Sequence, residues 1–292
     1  MAVSLKTSLR HYLEYAVVRA VMGLLTILPL DMASAFGGWL ARMLGSCLKA
    51  NRIAHRNIAR ALPELSEDQI RQVVRDCWDN LGRVMGEFPH LEEIIQHRIR
   101  VENPEVIDQI MQDGKPGIFV SGHLGNWEAA GGAVFQFGLS VALVYRAANN
   151  PLVNKLFQRY RTPSARGGQV AKGPEGAREL LNRLKQGEHL AMLVDQKMND
   201  GIAVPFFGRM AMTAPAAVRF ALRFDCPIIP TYVQRFKGAN FRLIMLEPMR
   251  IVPSANSHQD CLETMTQLNQ LLEEWIRQNP GQWLWMHKRW PD

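Results

Sequence analysis

Apolar positions change their rhythm twice along this chain. Residues 15 to 30, YAVVRAVMGLLTILPL, are apolar except for Arg19 and follow Lys6 and Arg10, and DMASAFGGWLARMLG carries on as a second apolar, helix-like stretch. The first run falls short of the ~20 residues that span a bilayer. A signal peptide would need a small-residue cleavage site and an exported domain after it, and here a second apolar, helix-like stretch follows instead. Residues 1 to 45 therefore predict interfacial helices that insert into or lie on a membrane, with an ordinary buried helix pair as the alternative. Between Asp31 and Glu64 there is no acid, and Lys49, Arg52, Arg56 and Arg60 fall at spacings that gather them on one helical face. That face suits anionic headgroups, although a solvated basic helix explains it equally. LPELSEDQIRQVVRDCWDNLGRVMGEF then reads as a helix with Ser66 as N-cap and Asp68 or Gln69 in its first turn.

From about residue 101 short apolar runs alternate with amphipathic stretches. GIFVS, VALVYR (141 to 146), HLAMLVD (189 to 195), CPIIPTYVQRF (226 to 236) and FRLIMLEP (241 to 248) predict strands. EGARELLNRLKQ, APAAVRFALRF and CLETMTQLNQLLEEWIRQ predict helices between or after them. The alternation implies an α/β layered domain with a mixed, largely parallel sheet flanked by helices, spanning residues 46 to 292 behind the helical, membrane-associated segment of residues 1 to 45. No internal repeat, low-complexity tract or linker divides it.

Composition narrows the partners. A net charge of +7 and a pI near 9.4 call for an anionic one: nucleic acid, a membrane surface, or an acidic carrier or substrate. Cys47, Cys77, Cys226 and Cys261 contain no CxxC pair, which argues against a zinc site and a disulfide framework. WLWMHKRW (283 to 290) mixes three tryptophans with His287, Lys288 and Arg289. No nucleic-acid-binding motif accompanies it, and Trp beside Lys and Arg equally marks a membrane interface. GPEG (173 to 176) reads as an ordinary helix start.

The candidate chemistry lies in IFVSGHLGNWEAAGG, residues 118 to 132, where His123 and Glu128 stand five positions apart. Five positions place two groups roughly 140° apart on a regular helix, so strand, turn and helix suit this stretch better than one continuous helix. His123 then ends a strand, where chemistry collects in open α/β sheets, and Glu128 in the first helical turn can fold back to it. A histidine accepts a proton near neutral pH, and a carboxylate fixes its tautomer. If the hydroxyl belongs to the substrate, such a pair performs direct acyl transfer with no acyl-enzyme. An HxxxxE spacing also arises by chance, and a histidine at a strand end is often structural.

The order of SGHLGNWE, VYRAANNPLVNKLFQRYR, LAMLVDQKMNDGIAVPFFGRMAMTAPAA, CPIIPTYVQR and NPGQWLWMHKRW resembles the late acyltransferases of lipid A biosynthesis, within the HxxxxD/E glycerolipid acyltransferase superfamily. The resemblance runs nearly end to end. It implies transfer of an acyl chain from acyl carrier protein or coenzyme A to the hydroxyl of an acyl chain on a lipid A precursor, with His123 as base and Glu128 as its orienter. It further implies no cofactor or metal, membrane phospholipids rather than nucleic acid as surroundings, and an inner-membrane enzyme facing the cytoplasm. Acylation of another glycolipid or lysophospholipid, or a non-catalytic anionic-lipid-binding protein, remains as the alternative. Ala147 stands where the family often has proline. Among the other matched residues, Arg146 suits a phosphate or carrier headgroup, and Asp195 and Gln196 end a strand and could share the cleft. Phe206 and Phe207 are offered as acyl-chain walls, although paired aromatics beside a strand more often belong to the core, with Gly208 turning their loop and Arg209 facing an anion. Gly125 and Asn126 are expected beside the substrate, with the free amides of LGNW as oxyanion donors.

Overall fold

The computed structural model describes residues 8 to 291; Lys6, among the first seven, and Asp292 lie outside it. A seven-stranded sheet forms its centre, built from β1 (Ile99–Glu102), β2 (Ile118–Ser121), β3 (Val141–Tyr145), β4 (Gln169–Ala171), β5 (His189–Leu193), β8 (Ile228–Lys237) and β9 (Asn240–Met245) in the order β1-β9-β8-β2-β5-β3-β4. Every neighbouring pair is parallel except the β8–β9 hairpin. β6 (Lys197–Phe206) and β7 (Arg209–Thr213) make a separate antiparallel hairpin. The five strands read from the sequence are present. The short, half-buried β1 and β4 are not obvious in it because they lack a continuous apolar run, nor is the β6–β7 arm, whose first strand opens on the polar KMND before its apolar half.

Helices cover both faces, as a parallel sheet requires. Successive side chains alternate, so Ile118, Val120, Ile228 and Tyr232 join one core with α3 (Lys49–Ala61), α4 (Glu67–Glu87), α10 (Ala216–Phe224) and α11 (Ser257–Gln278). Phe119, Ile229 and Val233 join the other with α1 (Leu9–Ile27), α2 (Leu30–Gly45), α5 (Leu91–His97), α6 (Glu105–Gln112) and α7 (Ala130–Phe135). The remaining helices are α8 (Pro151–Arg161) and α9 (Pro174–Lys185).

The expected cap on α4 is a full capping box: Ser66 Oγ accepts from the Gln69 N–H, and the Ser66 N–H donates to Gln69 Oε1 at 2.7 Å. Helices α2 and α4 touch backbone to backbone. A Cβ added at Gly37 would lie 2.2 Å from the carbonyl oxygen of Gly82, so only glycine permits the approach.

Helices α1 and α2 turn their inner faces to the protein through Met22, Leu25, Leu30 and Ala33. Their outer faces carry Leu13, Val17, Val21 and Ile27 on α1, and Met32, Trp39 and Met43 on α2, all exposed. Among the described residues no helix is long and apolar enough to cross a membrane.

Candidate active site

Register brings the site together. In the parallel pair β2–β5, Ser121 lies opposite Leu193, and two residues beyond each stand His123 and Asp195. His123 Nδ1 lies 2.7 Å from Asp195 Oδ1, and the His123 backbone N–H donates to Asp195 Oδ2 at 2.8 Å. A third donor, the indole N–H of Trp283, reaches Oδ2 at 2.7 Å. Burial alone would push the Asp195 carboxyl up. The charge of His123 and the hydrogen bonds from its ring and backbone outweigh that and hold the carboxyl well below the usual carboxylate range. An ionised carboxylate only accepts, so Nδ1 carries a proton, and in the neutral ring Nε2 keeps its lone pair.

The ring opens onto a cavity of about 420 Å³. Phe119, Ala130, Val134, Leu143 and Ala191 supply its apolar lining, and His123, Glu128, Arg146, Arg161, Lys172 and Gln196 its polar groups. Gln196 Nε2 lies 3.4 Å from His123 Nε2, and the Trp127 ring meets the imidazole edge to face at 5.1 Å. Burial pushes the Lys172 ammonium down, against the pull of Asp195.

Glu128 also lines this cavity, but it does not hold His123. Arg161 donates to it through Nε at 2.6 Å and Nη2 at 2.9 Å, a bidentate pair. Burial would lower the pKa of Arg161, and the Glu128 carboxylate raises it overall. The guanidinium also lies over the rings of Phe88 and Tyr145. The carboxylate five residues along the chain is thus claimed by α8, while the one 72 residues away orients the imidazole. Sequence reading gave Asp195 a place in the cleft but missed this partnership. Arg161 carried no signal beyond its position in FQRYR.

Arg146 and Gln196 reach the cavity as expected, with Arg146 exposed and bonded to Asn149 Oδ1 at 3.2 Å. The other candidates do not face the cavity. Phe206 and Phe207 are buried away from it, packed edge to face on each other at 4.9 Å and against Trp283, Trp285 and Trp290. Arg209 lies over Trp290 at 5.6 Å rather than facing the site. Asn126 is fully buried, and its Nδ2 donates to Glu87 Oε2 at 2.9 Å. Gly125 (φ +54°) spends its N–H on the Gln282 carbonyl at 3.3 Å and its own carbonyl on Asn80 Nδ2 at 3.0 Å, so it offers no oxyanion donor. These residues brace the histidine loop from behind. Glu87, completely buried, also accepts from Ser34 Oγ at 2.7 Å and is paired with Arg235. Among the described residues no cluster of His, Cys, Asp or Glu could hold a metal ion.

A histidine–carboxylate pair at the carboxyl ends of adjacent parallel strands thus opens on a largely apolar cavity, which sets a base beside room for an apolar group. Residues 4 to 292 match the family model for bacterial lipid A biosynthesis acyltransferases, and the chain belongs to this family of enzymes that transfer acyl groups onto lipid A. It is similar to a lipid A biosynthesis acyltransferase of Haemophilus influenzae, with 24% identity over 90% of this chain and 83% of that one. Similarity to a lipid A biosynthesis lauroyltransferase of Escherichia coli reaches 27% identity over 96% and 92% of the two chains. A solved 1-acyl-sn-glycerophosphate acyltransferase from Thermotoga maritima aligns over 86% of this chain and 95% of its own, with 14% identity and a TM-score of 0.40.

Proposed function

We propose that this enzyme transfers a fatty acyl group from a thioester donor, acyl carrier protein or coenzyme A, to the hydroxyl of an acyl chain on a lipid A precursor, with His123 as general base and Asp195 as its orienting carboxylate. The observation that carries this is the His123 Nδ1–Asp195 Oδ1 contact of 2.7 Å beside the apolar cavity. The donor's chain occupies the cavity. Nε2 takes the acceptor hydroxyl's proton as the oxygen attacks the thioester carbonyl. The tetrahedral intermediate expels the thiolate, which receives that proton from the imidazolium, so the base is regenerated and an ester replaces the thioester. Asp195 stabilises the transient imidazolium. Glu128 and Arg161 hold the cavity wall next to Trp127, and Arg146 and Lys172 offer positive charge to a phosphate of donor or acceptor.

The exposed apolar faces of α1 and α2 support a seat on a membrane surface, which we assign as the cytoplasmic face of the inner membrane, where the donor is made. High salt then loosens the protein only partly and detergent releases it. Recovery of full-length protein without detergent would count against insertion.

The test is turnover of labelled acyl donor with a lipid A precursor. His123→Ala lowers kcat by about 10² to 10⁴-fold with donor binding nearly intact. Asp195→Asn lowers it more than Glu128→Gln. Full activity in His123→Ala would overturn the reading, and no turnover by the wild type with any donor would favour a lipid-binding protein.

A further inference from the structure

Asp195 is held by a segment that closes over the site from the far end of the chain. Trp283 is almost fully buried, and its backbone forms an antiparallel bridge with Leu124, the residue after His123. One residue earlier, the Gln282 carbonyl accepts from Gly125 N–H; one residue later, Leu284 lines the cavity. The Trp283 indole N–H lies 2.7 Å from Asp195 Oδ2, the oxygen that also accepts from the His123 backbone, while Oδ1 is left to the imidazole. A carboxylate so bound cannot rotate about its last torsion without losing a charge-assisted hydrogen bond. The charged and titratable groups that act on Asp195 from neighbouring elements are His123, His287, Lys172 and Arg289.

We infer that Trp283 is a positioning residue for catalysis: its indole N–H pins the Asp195 carboxylate in the orientation that holds His123. This rests on the His123–Asp195 reading above. The other tryptophans of the cluster spend their indole N–H groups on backbone carbonyls, Trp285 on Pro280 at 2.8 Å and Trp290 on Phe206 at 3.0 Å. Trp290, likewise buried against Phe206, therefore provides a control that also loses an indole donor, but one given to a backbone carbonyl and not to Asp195.

The experiment compares Trp283→Phe with Trp290→Phe in full-length enzyme, measuring kcat, donor KM, the pH profile of kcat/KM and thermal unfolding. Trp283→Phe removes a hydrogen bond to a charged group, so kcat falls about tenfold or more with donor KM little changed. Without the indole donor the carboxylate is no longer fixed against the imidazole, and the acidic limb of the profile shifts. Trp290→Phe leaves kcat and the profile alone whatever it costs in melting temperature. In single-turnover measurements on an Asp195→Asn background, Trp283→Phe has little further effect, because it acts through that carboxylate. An unshifted profile with activity loss matching that of Trp290→Phe, or the same fold loss on the Asp195→Asn background, would make Trp283 merely structural and overturn the inference. Wild-type behaviour of Trp283→Phe beside an inactive His123→Ala overturns this inference alone; an active His123→Ala overturns the base reading and this with it.

Discussion

Substituting Gly125 by alanine separates a glycine that admits substrate from one that lets two backbones meet. The residue has φ +54°, and a Cβ there would stand 2.4 Å from the carbonyl oxygen of Val233 and 3.0 Å from its carbonyl carbon. Those atoms belong to strand β8, in the centre of the sheet, and cannot swing aside as a side-chain tip could. The left-handed conformation costs a residue with a Cβ about 1–2 kcal/mol. Forcing one extra carbon into close-packed surroundings adds about 1–3 kcal/mol. Gly125→Ala is therefore expected to lose roughly 2–5 kcal/mol of stability, the sum of those two costs. At roughly 2–4 °C per kcal/mol for a domain of this size, the melting temperature falls by about 4–20 °C. Thermal unfolding in detergent, measured beside turnover on the same preparation, reads both quantities. Activity per folded molecule, taken well below the transition, should fall less than stability does. A melting temperature within a degree or so of wild type, accompanied by a large loss of kcat, would refute this reasoning and restore a direct role for Gly125 at the thioester.

Glu87→Ala leaves Arg235 buried without its carboxylate and should cost about 3–5 kcal/mol in urea unfolding; a loss below about 1 kcal/mol would show the pair to be dispensable. Ala191→Phe fills part of the cavity, and at about 0.8 kcal/mol for each methylene turned out, a donor two carbons longer should lose over tenfold in kcat/KM relative to the shorter one. An unchanged chain-length profile would place the acyl chain elsewhere. Because the Asp195 carboxyl is held below its ordinary range, its contribution to stability is fully present above the unfolded-state value of ~4 and is lost as pH falls through the folded one. Urea midpoints at several acidic pH values should therefore decline less steeply in Asp195→Asn than in wild type, and equal slopes would contradict the charge pairing.

Hydrophobic periodicity alone determined the main features of this molecule. The continuous apolar runs of β2, β3, β5, β8 and β9 are legible because strands buried on both faces have no polar side to interrupt them. The helical front is legible in its spacing, and Ser66 and Gln69 announce the start of α4. His123 stood out as a titratable residue just past an apolar strand. Its partner could not be found that way, because nearness along the chain favours Glu128, whereas the register of two parallel strands brings in Asp195 from 72 residues away. Phe206 and Phe207 were open between cavity and core for a similar reason: composition shows that aromatic residues will be buried, but only packing decides whether they face a cavity or the three tryptophans that arrive from the end of the chain. Local sequence fixes which backbone states and which faces are favourable. Which carboxylate meets which base is decided by contacts between distant segments, and those exist only once the sheet has set their register.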